Sequence, residues 1–167
     1  RALQAPHTIP TTGWPPDELE AGIDAAAPQA HFDFVSLLIG VNNQYQHLPF
    51  SKYETEFPQL VNTAIANAGG DKSKVIVVSI PDYAFTPYGQ SAGNTANISS
   101  ELQQYNTFAQ QYCAANDITF VNITDITQQG LADPALVASD GLHPSGKAYT
   151  KFVERLLPVA LEILDQQ

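Results

Sequence analysis

A single cysteine, Cys113, excludes an intrachain disulfide framework in this 167-residue chain. It stands among apolar neighbours at helical spacing, so it reads as a small buried hydrophobe rather than a reactive thiol. Charge is also scarce: charged residues make up 14%, with 17 Asp and Glu against 7 Lys and Arg, for a formal net charge of −10. Such a surface repels nucleic acid and anionic membranes, and no basic cluster offsets it, so no nucleic-acid partner is expected. No apolar run approaches the ~20 residues that a membrane helix needs, which excludes obligate insertion by such a helix. The four histidines, His7, His31, His47 and His143, lie far apart with no Cys or His partner at ligand spacing, so no metal site is expected. Repeats, low-complexity tracts and long linkers are missing too. The single cysteine leaves the compartment open, with a secreted or periplasmic location set slightly ahead of the cytoplasm.

Apolar content, in contrast, is ample. At 44% of the chain it fills the core of a single domain spanning 1–167. Three near-continuous apolar runs, Asp33 to Ile39, Lys74 to Ile80 and Ile118 to Asn122, suit strands buried on both faces. Amphipathic helices alternate with them. Asp17 to Ala27 aligns Leu19 and Ile23; Ser51 to Ala68 aligns Tyr53, Phe57, Leu60, Val61 and Ala64; Glu101 to Asn116 aligns Leu102, Tyr105, Ala109 and Cys113. Ser51 and Glu54 have capping-box spacing, and Pro58 implies either a kink or a later start. The last helix, from about Ser145, aligns Tyr149, Phe152, Val153, Leu156, Ala160 and Ile163 on one face. This alternation predicts an α/β fold, with a flavodoxin-like parallel sheet in three α/β/α layers.

In open parallel sheets, ligands bind beyond the carboxyl ends of the strands, which directs attention to three turns. Asp140-Gly141-Leu142-His143-Pro144 places a carboxylate three residues before a histidine on a tight turn. The carboxylate can hold Nδ1 and leave Nε2 free as a base, although a helix-capping Asp beside a surface His has the same spelling. Gly40-Val41-Asn42-Asn43 follows the first of the three strand runs. It is either a simple turn or the site of a side-chain amide that donates to a developing oxyanion. Gly13, in Thr11-Thr12-Gly13-Trp14, allows close approach of its own amide, while Trp14 reads as a packing residue. The loop Asp82 to Gly89 carries Tyr83, Phe85 and Tyr88, at least one of which is expected in the pocket wall. Asn97-Ile98-Ser99 and Asn122-Ile123-Thr124 match a short glycosylation pattern.

In their order and placement, Gly13, Asn42 and the Asp140–His143 pair resemble the SGNH hydrolases, also called GDSL esterases and lipases. The resemblance runs from Gly13 to the final helix. It implies that His143 is the general base, Asp140 its orienting acid, and Asn42 and the Gly13 amide the oxyanion-hole donors. The implied activity is ester hydrolysis through an acyl-enzyme, on a small-molecule, lipid or carbohydrate ester, with no cofactor. Asn43 stands where many members have Asp.

One departure is larger. The family's nucleophilic serine follows its first strand, and no Gly-Asp-Ser block exists in this chain. Ser36 and Ser79 fall inside strand runs, Ser139 adjoins the Asp–His turn and Ser145 begins a helix, so none suits a sharp strand-to-helix turn. The expectation is a domain that lacks its first, central strand, with the nucleophile in an N-terminal segment outside Arg1–Gln167. The strands near Leu3 to Ile9 and Asp33 to Ile39 would then flank an empty or foreign-occupied slot. Two other readings stay open: a non-catalytic relative that binds carbohydrate or an acylated ligand in the same crevice, and a flavodoxin-like cofactor binder. The second needs a hydroxyl- and glycine-rich phosphate loop, which is not visible here.

Overall fold

All three apolar runs become strands, each shorter than the run that encodes it: β1 (Val35–Leu37), β2 (Val75–Val78) and β3 (Thr119–Val121). The computed structural model describes residues 15–26 and 31–165. Among these the sheet is parallel, in the order β1-β2-β3, with Val35 opposite Val75 and Val77 opposite Phe120. The expected strand near Leu3 to Ile9, and with it the slot it would border, lies outside the described residues.

Helices cover both faces of this sheet. On one side, Leu37, Ile39, Val75 and Val77 pack with α3 (Phe50–Asn67) and α5 (Thr95–Ala115). Tyr53, Phe57, Tyr105 and Phe108 fill the space between these helices, with Tyr53 and Tyr105 ring centroids 4.7 Å apart. Tilted and edge-to-face ring contacts of this kind add to the burial of the rings themselves. The helix α1 (Pro16–Ala26) lays Leu19 and Ile23 on the same cluster. On the other side, Ile76, Val78, Val121 and Ile123 pack with the short α6 (Thr124–Thr127) and with α7 (Gly146–Asp165). The three-layer α/β fold expected from the alternation is therefore present.

Several local expectations are corrected. Pro49, not Ser51, precedes α3, and no side-chain cap bond forms there; Ser51 lies inside the helix, its carbonyl accepting from Thr55 Oγ1 at 3.0 Å. Pro58 does not interrupt α3. The carbonyl that loses a donor to proline is at Glu54, which is exposed and can turn to water. The helix expected from Glu101 starts at Thr95, because buried Ile98 extends the Leu102, Tyr105, Ala109 and Cys113 face by a turn. Poor helix formers such as Asn94, Thr95 and Asn97 hide that turn from propensity, and packing overrides them. The expected single apolar face of α7 is in truth two: Phe152, Ala160 and Ile163 are buried, whereas Tyr149 and Val153 are both 56% exposed.

Cys113 is fully buried, as its neighbours imply, and burial pushes its thiol up to about 11. Among the described residues no helix is long and apolar enough to cross a membrane.

Candidate active site

At the carboxyl ends of the strands, three connections converge on a cavity of about 290 Å³. The first follows β1. Gly40 has φ +126°, and a Cβ there would come within 2.8 Å of the Tyr53 ring. Only glycine meets both demands, so the chain can turn sharply into α2 (Val41–Tyr45). The Gly40–Asn43 stretch is thus a helix start rather than a simple turn. Helical spacing then places Val41, Asn42 and Tyr45 together in the cavity wall.

The second connection follows β2 and is held by buried polar groups. Ser79 Oγ lies 2.9 Å from Asn122 Oδ1, 2.8 Å from Thr124 Oγ1 and 2.8 Å from the Ile123 amide. These contacts tie the ends of β2 and β3 together. Asn106 on α5 accepts from the Ile80 amide at 2.8 Å. The carboxylate of Asp82, 1% exposed, accepts from the Ala84 amide, Ser99 Oγ and Gln128 Nε2 at 3.0, 2.7 and 3.1 Å. Three donors suffice to hold a buried carboxylate. Beyond it, Tyr83 lines the cavity and its hydroxyl donates to Gln44 Oε1 at 2.7 Å, while Gln44 Nε2 donates to Glu101 at 2.8 Å. That relay locks α2 against α5.

Of the three aromatics expected in the wall, Tyr83 is there. Phe85 instead packs against the buried α3–α5 side. Tyr88 is half exposed, and its hydroxyl meets that of Tyr45 at 2.8 Å. Tyr88 belongs to α4 (Pro87–Ala92), which Thr86 caps by accepting from the Gly89 amide.

The third connection is the Asp140–His143 turn. Its ends are pinned by the Val137–Pro144 bridge and by the Ser145 amide donating to Leu136 at 2.8 Å. Gly141, at φ +75°, makes the reversal, and the Tyr88 amide donates to its carbonyl at 3.0 Å. Asp140 Oδ1 accepts from the Leu142 and His143 amides at 2.9 and 3.0 Å, and Oδ2 lies 2.7 Å from His143 Nδ1. These backbone bonds and the imidazole hold the Asp140 carboxyl down at about 2. The pair is half exposed, at 50% for Asp140 and 59% for His143.

His143 and Asn42 line the same cavity, together with Pro81, Leu136, Val137, Leu142 and Pro144. The two turns singled out in the sequence therefore meet. Gly13 lies outside the described residues. No described serine lines the cavity. The hydroxyl of Ser79 is consumed in its buried knot, Ser145 Oγ bonds to the Ala135 carbonyl, and Ser36 and Ser139 are exposed elsewhere. No group of His, Cys, Asp and Glu among the described residues could hold a metal.

Sequence reasoning passed over Tyr45, Gln44 and Glu101. Tyr45 sits three residues after Asn42, and that spacing signals a shared face only once α2 is recognised as helical. Asn43 is fully buried, and neither polar atom of its side-chain amide has a partner among the described residues.

Comparison with known proteins bears on this arrangement. A GDSL-like lipase from Bacteroides thetaiotaomicron has the same fold, with a TM-score of 0.66 at 19% identity over 90% of this chain and 72% of its own. The acetylxylan esterase of Geobacillus stearothermophilus superposes with a TM-score of 0.63 at 20% identity, over 89% of this chain and 68% of its own. Two variants of that esterase, in which a serine and an aspartate are replaced by alanine, are described as catalytic mutants and superpose with TM-scores of 0.59 and 0.57 at 18% and 17% identity. No curated protein sequence matches. The family of GDSL-like lipases and acylhydrolases matches residues 8–151, and the chain belongs to that family.

Proposed function

We propose that this chain forms the base-and-oxyanion part of a serine ester hydrolase, with the nucleophilic serine contributed from outside Arg1–Gln167. The observation that carries the reading is the Asp140–His143 pair, bonded at 2.7 Å and sharing one largely apolar cavity with Asn42.

The chemistry follows from the hydrogen-bond roles. With both backbone donors on Oδ1, the second oxygen of Asp140 is free to accept from Nδ1–H of His143. That selects the tautomer whose Nε2 carries a lone pair. Nε2 takes the serine proton as the hydroxyl oxygen attacks the ester carbonyl, and returns it to the departing alcohol. Water deprotonated by the same nitrogen then attacks the acyl carbonyl, and that proton passes to the serine oxygen as the acyl–oxygen bond breaks and the free acid leaves. The Asn42 amide and the Gly13 N–H supply neutral donors to the oxyanion of each tetrahedral intermediate; neutral donors stabilise that charge without competing for the proton. The apolar walls accept the acyl group. The substrate is a lipid or carbohydrate ester, and carbohydrate esters are favoured by the likeness to an acetylxylan esterase.

The test is hydrolysis of p-nitrophenyl acetate and butyrate, with labelling by a serine-directed fluorophosphonate. A protein that carries the nucleophile hydrolyses and labels, and His143→Ala abolishes turnover, by about a millionfold on the precedent of other serine hydrolases, without unfolding the domain. Arg1–Gln167 alone stays near background. Stoichiometric labelling of one of its own serines would overturn the assignment of the nucleophile.

A further inference from the structure

The oxyanion donor and the base stand on separate connections, and their separation decides whether one ester carbonyl can reach both. Asn42 is carried by the single turn of helix α2, Asp140 and His143 by the turn before α7. A misplacement of about 1 Å between such groups can cost about a hundredfold in rate. A chain of contacts between the two arms runs along the rim of the cavity.

It starts on α2. Tyr45 lies three residues after Asn42, on the same helix face, so the two side chains move together. The edge of the Tyr45 ring meets Tyr83, with centroids 5.9 Å apart at 71°. Its hydroxyl meets that of Tyr88 at 2.8 Å, with ring centroids 6.1 Å apart. Tyr88 belongs to α4, and its amide donates to the Gly141 carbonyl at 3.0 Å, inside the Asp140–His143 turn. Pro87, the residue before it, comes within 3.6 Å of where a Cβ would stand on Gly141. One hydroxyl pair and one backbone bond thus link the donor's helix to the base's turn.

Helix α4 is itself fixed. A Cβ on Gly89 would lie 2.1 Å from the Tyr83 carbonyl oxygen, so glycine lets α4 press directly on the connection after β2. Gln90 Nε2 donates to the Ala84 carbonyl at 2.8 Å, and Thr86 Oγ1 to that of Tyr83 at 2.7 Å. The Tyr83–Gln44 bond holds the far face of α2, whereas the Tyr45–Tyr88 pair holds the face that carries Asn42.

We infer that Tyr45 and Tyr88 are positioning residues: their joined hydroxyls clasp α2 to α4 and, through Gly141, set the distance between the Asn42 amide and the His143 imidazole. That the clasp serves ester hydrolysis rests on the hydrolase reading; the clasp itself does not. The two tyrosines are 41% and 37% exposed, so removing a hydroxyl leaves nothing buried unpaired. The effect is therefore bounded by one hydrogen bond, about tenfold at most.

The test uses Tyr45→Phe, Tyr88→Phe and the double variant in the active protein, with Tyr149→Phe on α7 as control. Each variant keeps its ring and loses only the hydroxyl. Turnover of p-nitrophenyl acetate is counted per serine titrated with the fluorophosphonate, so that an unfolded fraction does not count. Each single variant should lose about threefold to tenfold in kcat, with KM held within about twofold. The double variant should lose no more than the worse single one, because both remove the same bond, and the control should lose nothing. Equal turnover in every variant would overturn the inference, as would losses that multiply in the double variant. So would a rise in KM at constant kcat, which would make the pair a substrate contact. A second readout needs no activity. In nuclear magnetic resonance spectra Tyr88→Phe should shift the Asn42 side-chain amide signals, and Tyr45→Phe those of the His143 ring, each across the clasp. Unmoved signals would overturn the inference even in an active esterase. Moved signals in a protein that neither hydrolyses esters nor labels would keep the clasp and sink the hydrolase.

Discussion

The two faces of the sheet are built to different standards. Under α3 and α5 the side chains of Tyr53, Phe57, Leu60 and Leu102 are at most 1% exposed, and aromatic rings interlock. On the other face, α7 buries one stripe and presents another, and Phe34, Ser36 and Leu38 along β1 are exposed. The cavity sits where these faces meet, at the strand ends, with its base half in water. Stability is thus concentrated in the closed half and chemistry at the border of the open one. The separation can be measured.

The largest effect should come from Asp140→Asn in the active protein. The Leu142 and His143 amides demand an acceptor, so the new side chain must keep its oxygen on them and turn its NH₂ toward Nδ1. That forces the proton onto Nε2, the wrong tautomer for a base. Turnover should fall by about 10⁴ on the precedent of another serine hydrolase, in a protein that still folds and unfolds cooperatively. A loss of only a few-fold would mean that Asp140 merely caps its turn.

Next in size is the contrast in stability. Phe57→Ala should cost about 3–5 kcal/mol through the cavity it leaves. Leu157→Ala, in Arg1–Gln167, should stay within about 0.5 kcal/mol, as at an exposed position. Equal losses in denaturant unfolding would show that the α7 stripe is covered and that the comparison fails.

Smaller still is Asn43→Leu. Its two buried amide atoms lack partners among the described residues, so an apolar replacement of similar size removes a polar burial and leaves nothing there newly orphaned. Thermal unfolding should be unchanged or rise slightly. A loss of several kcal/mol would show that the amide is in use.

The last effect is one of pH. The Asp140 carboxyl is depressed from 3.8 to about 2, so its ionised form stabilises the fold above the ordinary carboxylate range. That contribution is lost as pH falls from about 4 through 2. The pH-dependent part of the difference between wild type and Asp140→Asn should vanish over that interval. A difference that vanishes instead near neutrality would assign it to another group.

Much of this was legible in the residues because it is local. A strand buried on both sides is a continuous apolar run, and Val75 to Val78 could be little else. The face of α3 repeats at three and four residues. The Asp140–His143 pair closes within one turn, so its spacing alone carries the contact. The start of α5 was not legible, because Asn94, Thr95, Asn97 and Ser99 favour turns and caps and only the burial of Ile98 draws the turn from Thr95 onward into helix. Nor was the role of Tyr45, since three residues from Asn42 means a shared wall only if the chain between them is helical.

By itself, then, the sequence determined the alternation of strand and helix, the parallel class of the sheet and the short-range pairing of a carboxylate with an imidazole. The tertiary structure alone decided that Asn42 and His143, distant in the chain, share a cavity. It also decided which apolar residues of α7 face the sheet. Periodicity reports that a helix is amphipathic, but an apolar arc wide enough for two partners looks the same as one deeply buried in a single partner. Only the position of the sheet, which occupies one side of that arc, separates Phe152 and Ile163 from Val153 and Leu157.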